Sequence, residues 1–136
     1  GEDFRGFAAA VAERVRTARR VRDLLLHGKI LLKAGKIEES LVAVRAALAM
    51  EKQNGDALLA LASLLTRQGK VEEALSTLQG IAGPAPPSAE VLLARARLAI
   101  VSGKGDVAYQ ALDSLRKSAP DHPEGRTLFR EWFGIN

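Results

Sequence analysis

Apolar residues recur along this chain at intervals of three and four, which is the spacing of one face of an α-helix. The intervals are clearest in two stretches near the middle of the chain: Leu58, Leu61 and Leu65, then Leu92, Ala96 and Ala99. No stretch alternates apolar with polar residues as a half-buried strand does, and no hairpin turn signal is present. The pattern therefore predicts an all-α protein.

The helical pattern repeats at a fixed interval. Residues 34–41, 68–75 and 102–109 align without a gap as AGKIEESL, QGKVEEAL and SGKGDVAY, and their glycines follow one another by 34 residues. Each glycine lies between two apolar-periodic runs, where it can supply the left-handed conformation that ends a helix. Acidic residues then begin the next helix, where the macrodipole favours negative charge: Glu38, Glu39, Glu72, Glu73 and Asp106.

A 34-residue helix–turn–helix period is typical of tetratricopeptide repeats, and the chain resembles that family (TPR) at several characteristic positions. On this alignment the units are residues 21–54, 55–88 and 89–122, which cover 102 of the 136 residues. The family has a large apolar residue at the fourth position, small residues at the eighth and twentieth, and an apolar residue at the twenty-fourth. The matching residues are, unit by unit, Leu24, Gly28, Ser40 and Val44; Leu58, Ala62, Ala74 and Leu78; and Leu92, Ala96, Ala108 and Leu112.

The sequence also departs from the family pattern. His27 and Arg95 occupy the seventh position, where Leu is usual, and the family's Trp and Tyr are replaced by aliphatic residues. The proline usual at the thirty-second position is present as Pro86 and Pro120, but the first unit has Lys52 there. The resemblance is thus specific in spacing and loose in identity.

The resemblance implies an all-α fold in which antiparallel helix pairs stack into a right-handed superhelix, a TPR-like α-solenoid with capping helices. We expect a single domain over residues 1–136, composed of an N-terminal helix (1–20), three repeats (21–54, 55–88 and 89–122) and a C-terminal capping helix (123–136). Because the chain begins with Gly1 rather than Met, we expect it to be a piece of a longer protein.

Both ends of the chain carry apolar stripes at helical spacing. A helix start is predicted at residues 121–124, and the stripe Leu128, Phe129, Trp132 and Phe133 should cover the third unit, with Trp132 in the core. At the other end Phe4, Phe7, Val11 and Val15 predict a further helix. This helix is either the second helix of a broken repeat or the start of one long helix that runs into the first unit.

One inter-repeat turn is unusual. Residues 83–87, GPAPP, are stiff and rich in turn residues, so they should end the second helix of the second unit near Ala82. The segment is either a slightly altered turn or a hinge or small docking segment.

Composition and charge narrow the classes of function. The chain has no cysteine, so it has neither a disulfide framework nor a thiolate metal site, and no run approaches the roughly 18 to 20 apolar residues of a membrane span. The compartment stays open, with the cytoplasm favoured over the periplasm, and the Ala- and Arg-rich, Lys-poor composition is typical of a bacterial protein. The net charge of +4 comes entirely from residues 1–54, which hold 11 Lys and Arg against 7 Asp and Glu.

No set of residues predicts catalysis. The two histidines, His27 and His122, lie in distant units and lack any zinc-site spacing. We expect His27 to be partly buried and His122 to cap a helix or lie on the surface. The acidic pairs are explained by helix starts, since adjacent residues on a helix do not face each other. We therefore expect no enzyme activity, no metal, no cofactor and no small-molecule substrate.

The resemblance instead implies protein–protein interaction through a concave surface lined by the first helix of each unit. The residues at the matching positions predict an apolar groove with basic residues: Leu25, Lys29, Lys33, Leu59, Ser63, Arg67, Leu93 and Arg97. We expect the partner to be another protein or peptide, apolar or amphipathic with some acidic residues. Chaperone-binding family members use a clamp of Lys, Asn, Asn, Lys and Arg. The matching residues here are Leu25, Lys29, Ala60, Glu90 and Ala94, so that ligand is not expected.

An arginine cluster precedes the first unit: Arg14, Arg16, Arg19, Arg20 and Arg22. It is a solvated helix face, a patch for an acidic partner, or a phosphate-binding site for nucleic acid or anionic lipid. The lack of interleaved exposed aromatics argues against nucleic acid. The leading hypothesis is thus a scaffold domain. The alternative is a regulatory or assembly arm of a larger protein, acting in cis or by self-association, and nucleic-acid binding ranks third.

Overall fold

The computed structural model describes residues 2–81 and 87–134, and within these ranges it is helical with no strand. Its helices are α1 (Glu2–Lys33), α2 (Ile37–Met50), α3 (Gly55–Arg67), α4 (Val71–Gln79), α5 (Ala89–Val101), α6 (Gly105–Ser118) and α7 (Pro123–Phe133). The predicted all-α class is confirmed. Contacts divide the chain into two compact units, one up to Leu64 and one from Leu65 onward.

The 34-residue period appears in the backbone as one turn used three times. Gly35, Gly69 and Gly103 have φ values of 79°, 81° and 72°. In the first turn the backbone N–H of Lys36 donates to the carbonyl oxygen of Leu31 at 2.9 Å. The equivalent bonds of the other two turns are both 2.8 Å long and join Lys70 to Leu65 and Lys104 to Ala99. This six-to-one bond around a left-handed residue is the Schellman motif that ends helices.

The helix starts follow the same period. The helices after the glycine turns begin behind Lys36, Lys70 and Lys104, which make no side-chain cap hydrogen bond. The acidic residues of the next turn complement the helix dipole there instead. By contrast, α3, α5 and α7 have side-chain caps spaced by 34 residues: Asn54 Oδ1 accepts from Ala57 N, Ser88 Oγ from Val91 N, and His122 Nδ1 from Gly125 N. The expectation that His122 caps a helix is confirmed.

In the unit up to Leu64, α1 and α2 pack closely through small residues. A Cβ added at Gly28 would lie 3.3 Å from Cγ2 of Val44, and the buried hydroxyl of Ser40 donates to the carbonyl oxygen of Gly28 at 2.7 Å. Val21, Ala47 and the start of α3 form a buried cluster beside this contact. The residues at the eighth and twentieth repeat positions therefore do what the family pattern implies.

In the unit from Leu65 onward, α5, α6 and α7 share one core. Its buried residues are Leu92, Leu93, Ala96, Ala111, Leu112, Leu115 and Phe129. Helix α4 packs against α5 and is short, ending at Gln79, three residues before the predicted end near Ala82. The guanidinium of Arg95, at the seventh repeat position, donates to the carbonyl oxygen of Leu78 at 2.7 Å. Arg95 thus adds a charged donor to a carbonyl at the end of α4 that also accepts from the backbone N–H of Ile81 at 3.3 Å.

The N-terminal helix runs into the first unit as one long helix. α1 continues without interruption from Glu2 to Lys33, so the alternative of a separate second helix of a broken repeat does not hold. From Asp3 to Arg20 every side chain is exposed except those of Ala12 and Thr17, which are half-buried. This half of α1 therefore has little tertiary packing.

Two predictions about buried side chains are wrong. Trp132 is 58% exposed, whereas Phe129 is 4% exposed. The rings of Tyr109, Phe129 and Phe133 pack together with centroids 5.3 to 5.6 Å apart and fill the space against α6. Trp132 lies in the last turn of α7 and is not among the residues of the shared core, which α7 enters through Phe129. His27, expected to be partly buried, is exposed on α1.

The predicted turn at residues 83–87 lies outside the described residues except for Pro87. Its interpretation as a turn, hinge or docking segment stays a prediction.

Candidate protein-interaction surface

The predicted groove residues lie in rows along three first helices. On α1, Leu25 packs against the buried cluster around Val21, while Lys29 and Lys33 follow it by successive steps of four and are exposed. Steps of four lie on one face of a helix. This face of α1 therefore presents two cations next to a partly covered leucine.

The row on α3 consists of Leu59, Ser63 and Arg67, again at steps of four. Leu59 is half-buried, and Ser63 and Arg67 are exposed. This face of α3 thus exposes one cation and one hydroxyl.

The row on α5 offers less surface than the sequence predicts. Leu93 is only 9% exposed and belongs to the core shared with α6 and α7. Arg97 is exposed but forms an ion pair with Glu124 of α7. The sequence could not indicate this pairing, because the two residues are 27 positions apart and meet only through tertiary packing.

The five arginines of the predicted cluster are all exposed on α1 but do not share a face. At about 100° per residue, Arg14, Arg19 and Arg22 lie on one side of the helix, and Arg16 and Arg20 lie on the other. Arg16 pairs with Glu13 at 2.9 Å. The cluster is therefore a collar around the helix rather than a flat patch.

The structure also exposes an apolar row on α1 whose spacing predicts a helix but not its exposure. Phe4 and Phe7 are 72% and 64% exposed, and Val15 is 51% exposed, with Val11 between them at 38%. The two exposed phenylalanines remove the argument against nucleic acid that rested on missing aromatics. The spacing of these residues puts them on a different face of α1 from its buried residues. This offset could have indicated from the sequence that they are exposed.

The described residues contain little that suggests chemistry. Among them no three His, Asp or Glu side chains converge as a metal site, and none of their helices is long and apolar enough to cross a membrane. A polar cavity of about 250 Å³ is lined by Gln79, Arg95, Val107, Gln110, Ala111 and Ser114. Burial lowers the pKa of Arg95, which has no carboxylate partner in the described chain.

The other perturbed group is a surface carboxylate. A hydrogen bond from Lys117 is the main cause that lowers the pKa of Asp113; desolvation opposes it, and the hydrogen bond from Arg116 adds to the lowering. Ion pairs at i,i+3 and i,i+4 on α6 explain this shift. Asp113 is therefore a helix-surface group with no nucleophile or base beside it in these contacts.

Comparison with known proteins identifies the repeat. A family model described as tetratricopeptide repeat matches residues 31–98, which is half of the chain. A search of curated proteins finds no match.

Several solved structures share the fold, two of them described as TPR proteins. The first TPR of Spaghetti (RPAP3), bound to the HSP90 peptide SRMEEVD, is similar with a TM-score of 0.74 and 17% identity, over 83% of this chain and 90% of that one. YrrB, a TPR protein with an unusual peptide-binding site, has a TM-score of 0.70 and 18% identity, over 82% of this chain and 57% of its own. PilF of Pseudomonas aeruginosa has a TM-score of 0.65 and 22% identity, over 83% of this chain and 51% of its own.

These structures support the all-α TPR-like fold, and the chain spans only about half the length of YrrB and PilF. The glycine turns, the helix caps and the small residues between α1 and α2 all follow the 34-residue period or the repeat positions on which the resemblance rests. Together with the family model, these features show that the chain belongs to the tetratricopeptide repeat family.

Proposed function

We propose that this chain is a non-catalytic interaction domain that binds a peptide or partner protein along the first helices of its repeats. The observation that carries the proposal is the set of exposed cations in those rows, Lys29, Lys33 and Arg67, next to partly exposed leucines. TPR domains commonly mediate protein–protein interaction, and the neighbours Spaghetti and YrrB are described as peptide-binding. A groove of this composition suits an amphipathic ligand with acidic residues.

The proposed groove consists of Leu25, Lys29, Lys33, Leu59, Ser63, Arg67, Leu93 and Arg97. Its members do not contribute equally. Leu93 is a core residue and Arg97 already has an acidic partner, so both should contribute less than the lysines of α1 and Arg67 of α3.

The ligand should differ from the chaperone peptide bound by the Spaghetti domain. At the positions where chaperone-binding TPR domains carry a polar clamp, this chain has leucine and alanines, and Glu90 would repel a terminal carboxylate. Lys29 is the one suitable cation among them. We expect an internal acidic segment rather than a free C-terminus.

A charge reversal on the groove tests the proposal. The double variant Lys29→Glu with Arg67→Glu should lose a partner that the wild-type domain retains in a pull-down from source lysate, because two cations facing acidic groups become repulsive. Far-UV circular dichroism should show unchanged helicity, since both side chains are exposed.

The matched control is Lys70→Glu with Lys104→Glu. It makes the same change in net charge at two exposed positions that begin helices, where added negative charge is tolerated. Equal retention by the folded groove variant and this control would contradict the groove. Retention of nothing by the wild type would favour an arm that acts within its own parent chain.

A further inference from the structure

The exposed apolar row of α1 is out of register with the core face of the same helix. The core face of the second half contains Val21 and Gly28, which are buried against α2 and the cluster beside it. Steps of four, three and four back from Val21 stay on that face and arrive at Thr17, Arg14 and Ala10, which are polar or small. At about 100° per residue, Phe4, Val11 and Val15 lie about 80° to 120° round the helix from Val21 and Phe7 lies about 40° from it, so the apolar row as a whole is displaced from the core face.

Further along α1, the face that carries the apolar row carries the basic residues of the groove instead. We define the apolar row as Phe4, Phe7, Val11 and Val15, and the basic row as Arg22, Lys29 and Lys33. From Val15 the next steps of three and four pass through Ala18 to Arg22, then through Leu25 to Lys29 and Lys33. Because α1 is unbroken, the two rows form one continuous strip about 44 Å long.

The strip carries only positive charge. At about 100° per residue, Arg14 and Arg19 flank its centre within roughly 70°, whereas Asp3, Glu13 and Asp23 lie about a quarter turn or more away. Lys29 and Lys33 are like charges at i,i+4, which destabilises a helix unless an anion lies nearby. No ion pair of the described chain involves either lysine.

This charge pattern decides between possible occupants. A second copy of the chain would bring one basic row or its flanking arginines toward another basic strip, so it is poorly matched. A lipid surface suits a broad apolar face, whereas the apolar row spans only about 80° of the helix, less than the 100° typical of a buried face. A single row at steps of three and four is the geometry of a helix–helix seam.

We propose that the strip docks one amphipathic helix of a partner protein, with an apolar row against Phe4–Val15 and acidic residues against Arg22–Lys33. The inference rests on the proposed function, since Lys29 and Lys33 belong to both surfaces. It extends that function to the first half of α1 and names a helical, acidic partner.

A pair of synthetic helical peptides tests the chemistry. Each has about 30 residues, enough to span the strip as a helix, with leucines at steps of three and four along one half. The acidic probe carries Glu along the same face of the other half, and the basic probe carries Lys at those positions. Fluorescence anisotropy should show the acidic probe binding at least about tenfold more tightly, with affinity that falls as salt is added. Equal binding of both probes would overturn the proposal.

Two variants of the protein locate the binding. Arg22→Glu with Lys33→Glu should weaken the acidic probe by at least about tenfold. The matched control, Arg16→Glu with Arg20→Glu, makes the same charge change on the opposite side of α1 and should weaken it much less. Equal weakening by both would assign binding to the arginine collar and contradict a strip on one face.

The apolar row is tested by Phe7→Ser with Val11→Ser, which changes exposed side chains and should leave helicity intact. This variant should no longer bind the acidic probe. If sedimentation velocity shows a wild-type dimer that this variant dissociates, the occupant is a second copy. If the row is needed instead for binding phosphatidylserine vesicles or a single-stranded oligonucleotide, while the acidic probe does not bind, the occupant is a membrane or a nucleic acid. Each of these results would overturn the proposal.

The two proposals fail separately. A lysate partner that is lost by Lys29→Glu with Arg67→Glu but kept by Phe7→Ser with Val11→Ser would contradict the strip and leave the groove standing. An acidic probe that needs Phe7 and Val11 but tolerates Arg67→Glu would support the strip without the groove.

Discussion

At the scale of single residues, the turn glycines are the positions where backbone geometry most restricts the sequence. A Cβ added at Gly35, Gly69 or Gly103 would meet no atom within 4 Å. Space is therefore not the reason for glycine at these turns. The reason is their positive φ values, because an L-residue in that region brings its Cβ close to the following carbonyl oxygen.

Gly69→Ala should lower the free energy of unfolding by about 1 to 2 kcal/mol, which is the strain of a left-handed residue. The control is Gly55→Ala at the start of α3, where φ is not positive and space is also open. There alanine should leave stability unchanged or raise it, since it is the better helix former. Denaturant unfolding followed by circular dichroism measures both. Similar losses in the two variants would contradict the role assigned to φ.

Residue burial was predictable where the period determines it and not elsewhere. Ser40, Ala74 and Ala108 are buried as their shared repeat position implies. Trp132 and His27 are not, because an apolar stripe or a family position indicates a face without indicating how far the neighbouring helix extends along it. The burial of these two side chains depends on which tertiary contacts form around them, and the periodicity does not encode those contacts.

At the scale of elements, α7 covers the C-terminal unit through one face of two turns. Phe129 belongs to the shared core, lies beside Tyr109 and Phe133, and receives the guanidinium of Arg116 over its ring at 4.9 Å. Trp132, three residues later, contributes mostly exposed surface. The stability that α7 supplies should therefore be concentrated in Phe129.

Phe129→Ala should lower the free energy of unfolding by about 3 to 5 kcal/mol, the range for removing a buried aromatic ring. Trp132→Ala should cost less than about 1 kcal/mol, because most of its surface is already in water. Thermal and chemical unfolding of the two variants decide the order. A larger loss for Trp132→Ala would show that the indole is covered in solution.

At the scale of the whole molecule, stability should be unevenly distributed. The first half of α1 has almost no buried side chain, whereas its second half and the helices that follow share cores. Helices without tertiary packing are marginal in water and open locally at low cost. Six exposed arginines lie in or next to this half: Arg5, Arg14, Arg16, Arg19, Arg20 and Arg22.

Brief trypsin digestion should therefore remove the first half of α1 before it cuts elsewhere, leaving a helical fragment that begins near Asp23. Mass spectrometry over a time course identifies the order of cuts. The exposed turn lysines Lys36, Lys70 and Lys104 are internal controls, since they lie between packed helices. Early cleavage at these lysines, with Arg5 to Arg22 protected, would indicate that something covers the first half of α1.

The candidate site was less predictable than the fold. The repeat register placed the lysines of α1 on an accessible face, but it could not indicate that Arg97 is engaged by Glu124. It also could not show that α1 is continuous, and this continuity joins the apolar row to the basic row. Both facts depend on how elements meet or merge, which a 34-residue pattern does not encode.

The three equivalent glycine turns have a consequence for how such a chain can change length. A deletion from Lys36 to Gly69 would join Gly35 to Lys70 and recreate a native turn sequence, Gly-Lys-Val-Glu-Glu, with its left-handed glycine in place. A duplication of the same stretch would do likewise. Recombination between the corresponding gene segments thus preserves every glycine turn only when it adds or removes 34 codons or a multiple of 34. Descendants of this gene can gain or lose whole repeats far more easily than fractions of one.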